Sequence, residues 1–313
     1  MQINPYNQTG WRISRRTFLK AAAGSLAASS LYSARSPLRF GVVTDVHYAD
    51  RLRAGTRYYR LGLSKLAAVV NLMNSEEVGF LVELGDFKDQ DVNPGEESTL
   101  AFLRSIEKTF QGFRGPRYHV LGNHDMDSIT KAQFQSVALN TGIDPGRTWY
   151  SFDRGGYHFV VLDANFKSDM TPYSRGDFDW RDANIPPEQL DWLASDLRGA
   201  ARPVVAFVHQ RLDEWRGEPS IGNRVAVRRV LKDSGKVVLV LQGHVHQGDY
   251  QQIDGIHYYT LAASVEGDNP TDNTCAIVQL RPDGSAVVIG YQRAATLRLP
   301  ALQPSEPVGA RIE

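Results

Sequence analysis

Short apolar runs alternate with amphipathic stretches along most of the chain after Leu38. The run FGVV at 40–43 predicts a buried strand, and apolar residues at helical spacing within 59–73 predict a helix. A second apolar run, FLVEL at 80–84, predicts the next strand. Strand, helix and strand in this order indicate a parallel β-α-β unit, and continuation of the pattern favours one layered α/β domain.

The same alternation predicts helices and strands as far as residue 291. Further helices are expected at 98–110 and 187–197, and further strands at 118–121, 149–152, 157–162, 204–208, 237–241, 256–261, 275–280 and 286–291. The polar segment 165–184 shows no periodicity, and a loop of this length in a compact domain is usually functional, so it is a candidate substrate-side loop. Residues 294–313 are Pro-rich and are predicted to form a poorly ordered tail.

Charge and cysteine content exclude some classes of protein. The 313-residue chain has 35 basic and 35 acidic residues, so no net excess of cations is present to bind polymeric nucleic acid through its phosphates. Cys275 is the single cysteine, which excludes both an intrachain disulfide and a cluster of thiolate ligands.

Side chains that can bind metal follow directly after five of the predicted strands. They are Asp45 with His47, Asp86, Asn123 with His124 and Asp125, His209, and His244 with His246. The carboxyl ends of strands meet at one rim of an open α/β sheet, so these groups are expected to converge. On extended backbone, residues two apart point to the same side, as in the pairs Asp45/His47 and His244/His246. Carboxylate, amide and imidazole ligands suit Mn²⁺, Fe, Zn²⁺ or Co²⁺.

The remaining histidines provide an internal comparison. His119, His158 and His257 lie inside strand-like runs and not after them, which favours structural roles. Asp89 and Asp91 follow Asp86 closely, but they are predicted to cap the loop or face solvent and not to bind metal.

The ordered motifs resemble those of the calcineurin-like metallophosphoesterases. The matching blocks are DVH at 45–47, GD at 85–86, GNHD at 122–125, His209, and GHVH at 243–246. This resemblance implies a four-layer α/β/β/α sandwich of two mixed β-sheets within a domain at 38–293. It also implies that Asp45, His47 and His246 hold one metal ion, that Asn123, His209 and His244 hold a second, and that Asp86 bridges the two.

Longer stretches are similar to a narrower group, the manganese-dependent ADP-ribose/CDP-alcohol diphosphatases. They are YADRLRAGTRYYRLGLSKLAAVV at 48–70, LVELGDFKD at 81–89 and VLDA at 161–164. Two positions depart from that group, because His47 stands where it has glutamine and Asp125 where it has glutamate. The similarity implies hydrolysis of phosphodiester or diphosphate bonds in small molecules, nucleotide conjugates among them.

The family resemblance also implies a mechanism. Two ions, either divalent or trivalent (Mn, Fe, Zn or Co), would activate a bridging hydroxide for attack on phosphorus. His124 would give a proton or hydrogen bond to the leaving group, and Asp125 would orient the imidazole. Arg57 and Arg60, together with Tyr58 between them, are candidates for binding the substrate and its second phosphate.

Two other functions fit parts of this pattern. One is an exported phosphomonoesterase, similar in activity to an alkaline phosphatase, that scavenges phosphate. The other is a non-catalytic protein that binds through its metals, but such a protein has no need for a leaving-group residue such as His124.

The N-terminal residues resemble a bacterial twin-arginine export signal. SRRTFLK at 14–20 precedes a weakly apolar run of small residues at 21–31, and small-residue cleavage sites lie at about 29–34. The resemblance implies that residues 1–34 are a signal recognised by the twin-arginine translocation machinery, with a periplasmic or extracellular destination. The apolar run is too short for a permanent membrane anchor. A basic helix on the domain surface is the alternative interpretation.

Overall fold

A computed structural model describes residues 36–301 with the exception of 215, 216, 218, 219, 270 and 271. The predicted export signal at 1–34 and residues 302–313 of the predicted tail lie outside the described residues. Within the described part of the chain, no helix has both the length and the apolar character needed to cross a membrane.

The described residues form twelve strands and five α-helices. In chain order the strands are β1 Leu38–Val43, β2 Leu81–Glu83, β3 Arg117–His119, β4 Tyr150–Arg154, β5 Tyr157–Val161, β6 Val204–Phe207, β7 Val237–Gln242, β8 Asp249–Ile253, β9 Ile256–Thr260, β10 Cys275–Leu280, β11 Ala286–Tyr291 and β12 Leu297–Leu299. The helices are α1 Gly62–Ser75, α2 Glu96–Phe110, α3 Lys131–Gln135, α4 Pro187–Gly199 and α5 Arg224–Asp233, with 3-10 turns at Tyr59–Leu61 and Asn123–Met126.

The strands form two mixed sheets of six. The first has the order β12-β11-β10-β1-β2-β3, in which β1, β2 and β3 are parallel. The second has the order β4-β5-β6-β7-β9-β8, in which β5, β6, β7 and β9 are parallel and the two edge strands are antiparallel. The predicted β-α-β unit is confirmed, and the predicted strands at 149–152 and 157–162 pair as the antiparallel hairpin of β4 and β5.

Alternation along the strands explains the four layers. In β6, Val205 and Phe207 belong to the core between the sheets, whereas Val204 and Ala206 pack towards α4 and α5. Aromatic rings fill the space between the sheets, where Phe40 contacts Phe80 with ring centroids 4.6 Å apart. The first sheet packs its other face against α1 and α2. The expected α/β/β/α sandwich is therefore confirmed, with both sheets buried on two faces.

Four elements have no counterpart among the predicted ones. They are α3, α5, β8 and β12. Strand β8 reads DYQQI and contains no apolar run that could predict a strand. Polar residues are tolerated here because β8 lies at the edge of its sheet and pairs with β9 alone. Strand β12 lies within the residues predicted to be the tail, so the first sheet extends beyond Ala295 by pairing with β11.

His158 on β5 is held between two carboxylates. Its Nδ1 lies 2.8 Å from Asp153 Oδ1 and its Nε2 lies 2.7 Å from Asp196 Oδ2 on α4. The hydrogen bond with Asp196 and the bond with Asp153 outweigh burial and raise the pKa of His158. Arg202 also pairs with Asp153 in this cluster.

We expect His158→Gln to lower the melting temperature more at pH 6 than at pH 9. The raised pKa means that the protonated imidazole stabilises the fold fully below the unfolded-state pKa of about 6.5, and that this contribution is lost as pH rises through the folded-state pKa. Hydrogen bonds to charged groups contribute about 1.5–3 kcal/mol, which sets the expected loss at pH 6. Thermal melts of both proteins across this pH range measure it, and an equal loss at both ends of the range contradicts the assignment.

Candidate metal centre

The ends of the parallel strands bring the predicted ligands together at one rim. Asp45 and His47 follow β1, and His246 follows β7 of the other sheet. Asp45 Oδ1 lies 3.7 Å from His47 Nε2 and 3.5 Å from His246 Nε2. One ligand atom from each of these three residues lies within 4.8 Å of the others, which is the spacing of groups that share one ion.

A second group of ligands lies beside the first. One atom each of Asp86, His209 and His244 also lies within 4.8 Å of the others, and His209 Nε2 is 3.2 Å from Asp86 Oδ2. The same Asp86 oxygen lies 3.5 Å from His47 Nε2. Asp86 therefore faces both groups at once, which is the position that a bridging carboxylate requires.

Each of three imidazoles is oriented through its other nitrogen. His209 Nδ1 lies 2.9 Å from the carbonyl oxygen of Leu84, and His47 Nδ1 lies 3.2 Å from Asp89 Oδ2. His246 Nδ1 lies 2.6 Å from Glu266 Oε1. A proton on each Nδ1 would leave the lone pair of Nε2 available to bind an ion between the imidazoles and the carboxylates, as in metal-binding histidines generally.

Buried polar atoms without partners show that these residues fit metal ions. Among the described residues, the atoms that lack a hydrogen bond include Asp45 Oδ1, His47 Nε2, Asn123 Oδ1 and His209 Nε2. By contrast, Asp45 Oδ2 accepts hydrogen bonds from the Thr44 hydroxyl and a backbone N–H. Burial of an unpartnered polar atom is costly, so a cluster of them aimed at one space indicates that cations satisfy them.

The electrostatics of the rim favour positive charge. Burial alone would lower the pKa of His209, but the adjacent Asp86 carboxylate outweighs it and raises this pKa to about 10. Burial likewise opposes protonation of His124, yet Asp86 and the neighbouring carboxylates raise its pKa to about 9. Carboxylates that hold protons on buried imidazoles this firmly attract divalent ions for the same reason.

The prediction that Asp125 orients His124 was wrong. Both oxygens of Asp125 accept backbone N–H bonds, from Gly122 and Asp86 on Oδ2 and from Phe87 on Oδ1. The His124 imidazole instead faces two other carboxylates, because its Nδ1 lies 3.5 Å from Asp89 Oδ2 and 3.9 Å from Asp127 Oδ2. Asp125 therefore holds the ligand loops together, and the carboxylates of Asp89 and Asp127 are the ones that face the ring of His124.

Asp89 is a site residue that the sequence interpretation assigned to loop capping. Its Oδ1 does accept from the backbone N–H of Gln90, as a capping group would. However, Asp89 is buried and its Oδ2 lies close to both His47 and His124. The one signal in the sequence for this role was that Asp89 follows the ligand Asp86 by three positions.

The ligand backbone is not extended as predicted. Asp45, His47 and His244 have φ angles of +50°, +47° and +69°, and Asp86 has +56°. These left-handed conformations are uncommon for residues other than glycine and concentrate at functional sites. These four ligands converge because the chain turns sharply after β1, β2 and β7, and not because alternate residues of a strand share a face.

Gly243 lies beside the ligands at a point where its backbone closely approaches the loop after β1. A Cβ on Gly243 would lie 2.1 Å from the Thr44 hydroxyl and 2.9 Å from Asp45 Oδ2. A side chain at Gly243 would thus displace a ligand of the first group, so the close approach of the backbone requires glycine here.

A cavity of about 530 Å³ opens over the two groups of ligands, and one of the three predicted substrate-binding residues lines it. It is lined by Thr56, Arg57, Asp86, Asn123, His124, Trp180, His244, Val245, His246, Gln247 and Glu266. Arg57 thus lies where it was predicted. Arg60 pairs with Asp50 at the surface, and Tyr58 contacts Arg53, so these two are placed outside the lining. The loop 165–184 contributes Trp180, as expected of a substrate-side loop.

The three histidines predicted to be structural lie away from this cavity. His119 Nε2 lies 3.1 Å from Glu107 Oε2 on α2, and His158 is paired as described above. His257 Nδ1 lies 2.8 Å from the Tyr250 hydroxyl, and its Nε2 lies 3.0 Å from the carbonyl oxygen of Pro300.

Two groups of buried carboxylate and imidazole ligands that share one aspartate, on the rim of a two-sheet sandwich, define a dinuclear metal-dependent phosphoesterase. The calcineurin-like phosphoesterase family model matches residues 38–248, about two thirds of the chain. The chain belongs to the calcineurin-like phosphoesterase family and is a metallophosphoesterase.

Relatives with curated names show which activities occur among similar chains. A manganese-dependent ADP-ribose/CDP-alcohol diphosphatase of Oryza sativa is 28% identical, covering 84% of this chain and 94% of that protein. A 3',5'-cyclic-nucleotide phosphodiesterase of Nostoc is 24% identical, covering 87% of this chain and 96% of that protein. The crystal structure of a dimetal phosphatase from Danio rerio superposes with a TM-score of 0.73 at 23% identity, over 86% of this chain and 100% of that one, which shows the shared fold.

Proposed function

We propose that this metallophosphoesterase hydrolyses phosphodiester or diphosphate bonds of nucleotide conjugates. The observation that carries the proposal is the cavity over the metal ligands, which combines a cation and an aromatic ring, Arg57 and Trp180, around His124. The similar rice protein is named for ADP-ribose and CDP-alcohols, and the similar Nostoc protein for 3',5'-cyclic nucleotides. Both names support the same class of substrate.

Each residue of the site has a distinct task in this reaction. Asp45, His47 and His246 would hold one ion, Asn123, His209 and His244 would hold the other, and Asp86 would serve both. Bound divalent ions supply positive charge for the phosphoryl oxygens and lower the pKa of a water molecule.

His124 is the group placed to serve the leaving oxygen. Its Nδ1 side faces Asp89 and Asp127, while the residue lines the cavity. The carboxylates thereby favour the protonated imidazole and leave Nε2 to donate a hydrogen bond or proton.

Arg57 is placed to bind a second phosphate. Arg57 lines the cavity, and the fork of N–H donors of an arginine matches two phosphate oxygens. A second bound phosphate favours diphosphates over simple monoesters, which have only the phosphate that reacts.

We propose Mn²⁺ as the preferred metal. The oxygen and imidazole ligands accept Mn²⁺, Fe, Zn²⁺ and Co²⁺ alike. The manganese dependence in the name of the rice relative favours the first of these.

A substrate panel with each of the four metals tests the proposal. We expect Mn²⁺-dependent hydrolysis of ADP-ribose and CDP-alcohols, with kcat/KM well above that for an aryl phosphate monoester. Preference for the monoester points to the phosphomonoesterase alternative. Binding of metal and nucleotide without hydrolysis of any panel member points to the non-catalytic binding protein.

Trp180 is presented to the cavity by a hydrogen-bonded turn. The N–H of Arg181 donates to Asp179 Oδ1, and the buried Tyr173 hydroxyl donates to carbonyl oxygens of the same turn. The Arg181 guanidinium lies 4.1 Å from the Trp180 ring centroid, and the ring remains 36% exposed. A rigid and accessible ring of this kind suits stacking with a nucleobase.

Trp180→Ala should therefore raise KM for ADP-ribose and leave kcat nearly unchanged. Stacking of a base on an aromatic side chain is worth about 1–3 kcal/mol, or roughly 5- to 100-fold in affinity. Steady-state kinetics with ADP-ribose and with dimethyl diphosphate separate the effect, since the second substrate has no ring to stack. Trp180→Phe should retain most of the affinity, and Leu139→Ala serves as a control at an exposed apolar residue outside the cavity. An equal loss for both substrates contradicts the stacking role.

We propose in addition that the protein is exported through the twin-arginine pathway. Residues 1–34 would be the signal, the exported enzyme would begin at 38 and include β12, and the residues after Leu299 would be its tail. The support is the sequence SRRTFLK with the small-residue run that follows it. Replacing Arg15 and Arg16 by lysine should retain the protein in the cytoplasm of a bacterial host with this pathway. Export that continues in this variant, or absence of export for the unmodified chain, overturns the proposal.

A further inference from the structure

The segment 263–267 connects the two ligand loops that hold the first group of ligands. The N–H of Val265 donates to the carbonyl oxygen of Asp45 at 2.9 Å, and the N–H of Ser264 donates to that of Thr44 at 3.1 Å. The N–H of Ala263 donates to the carbonyl oxygen of His246 at 3.1 Å. One short segment is therefore bonded to a ligand loop of each sheet.

A buried lysine on α1 holds this segment. Lys65 is fully buried, and its Nζ donates to the carbonyl oxygens of Ser264, Glu266 and Gly267 at 2.9, 2.7 and 2.8 Å. An ammonium group has three donors, and here each donor has one acceptor. Burial of a charge is costly unless its hydrogen bonds are satisfied, so this arrangement strongly favours one conformation of the segment.

The segment in turn orients a ligand. Glu266 projects from it, and Glu266 Oε1 lies 2.6 Å from His246 Nδ1. The opposite nitrogen, His246 Nε2, points at Asp45 Oδ1, 3.5 Å away. Because Lys65 binds the carbonyl oxygens of Glu266 and Gly267, it fixes the backbone from which the Glu266 carboxylate reaches His246.

The second group of ligands is oriented without this segment. His209 is held by the carbonyl oxygen of Leu84 at the end of the first sheet, and Asp86 Oδ1 accepts from the N–H of His124. In the described part of the chain, no hydrogen bond joins the segment directly to Asp86, His209 or His244, so its disturbance acts first on the group that contains His246.

We propose that Lys65 and Glu266 are positioning residues that set the affinity of the metal site formed by Asp45, His47 and His246, and leave that of the other site unchanged. The inference rests on the proposed dinuclear site and not on the identity of the substrate. Loss of a partner that orients a metal ligand typically costs about 10- to 100-fold in metal affinity.

Binding of Mn²⁺, followed by calorimetry and by electron paramagnetic resonance, tests the inference in Lys65→Met and Glu266→Gln. Asp45→Asn identifies which binding step belongs to the first site. We expect both variants to weaken that step by at least about tenfold and to leave the other within about twofold. Lys236→Met is the matched control, because Lys236 Nζ also donates to backbone carbonyl oxygens, those of Leu197 and Arg198, but away from the rim.

The control should lower the melting temperature without changing either Mn²⁺ affinity. If Lys65→Met does not fold, Lys65→Gln, which keeps two donors, replaces it in the same comparison. Equal weakening of both sites, or of neither site in folded variants, overturns the inference. Failure of the proposed function has a different signature, which is normal binding of two Mn²⁺ ions with no hydrolysis of the substrate panel.

Discussion

Asp86→Ala is expected to abolish binding of both metal ions and with it the phosphoesterase activity. One oxygen of Asp86 lies within 3.5 Å of His47 Nε2 and 3.2 Å of His209 Nε2, so a single side chain serves both ligand groups. Its other oxygen accepts from the N–H of His124 at 2.8 Å, so the same substitution also loosens the leaving-group residue. The loss of affinity should exceed the roughly 10- to 100-fold that removal of an orienting partner costs.

Elemental analysis of the purified variant measures this effect directly. A suitable control is Asp163→Ala, because Asp163 is also buried but pairs with Lys131 outside the ligand groups. The control should lose stability and keep two ions per chain. Two ions retained by folded Asp86→Ala would show that this carboxylate does not bridge them.

His124→Ala is expected to lower kcat by about 10²- to 10⁴-fold while the metal content stays intact. The reason is that the His124 ring faces Asp89 and Asp127 on one side and the cavity on the other, and does not belong to the two groups centred on Asp45 and Asp86. A residue that protonates the leaving oxygen matters most when that oxygen is strongly basic. The effect should therefore be largest for substrates with poor leaving groups.

A series of aryl phosphodiesters with leaving groups of graded pKa checks the role of His124. The plot of log kcat against leaving-group pKa should become steeper in His124→Ala than in the unmodified enzyme. His257→Ala provides a control at a buried histidine that bonds Tyr250 and Pro300 far from the ligands. The same proportional loss for good and poor leaving groups would remove His124 from proton transfer.

The periodicity of the sequence was sufficient for most of the fold, since strands such as β10 and β11 begin and end where their apolar runs do. It failed for β8 and α5. Strand β8 is polar and produces no apolar run. Helix α5 does have apolar residues at helical spacing, Val227, Val230 and Leu231, but this short signal lies among basic residues and was overlooked. Pairing and packing with neighbours distant in sequence stabilise these two elements.

The sequence by itself determined which side chains end the parallel strands, because the order of apolar run, tight turn and polar ligand is local. The candidate ligands at the strand ends follow from that local order, whereas their division into two metal groups was implied by the family resemblance, and Trp180 was not singled out. The local order did not determine which carboxylates face the imidazole of His124. That Asp89 and Asp127, and not Asp125, face His124 depends on the sharp turns at positive φ, which no local pattern of residue types specified.

Only the tertiary structure revealed that Lys65 and Glu266 hold His246. Lys65 donates to carbonyl oxygens of residues about two hundred positions away in the sequence. Every residue has such an oxygen, so the residue types do not reveal which ones accept. The residue types of the ligands can therefore be read from the sequence. Their orientation depends on hydrogen bonds between segments that only the folded sheets bring together.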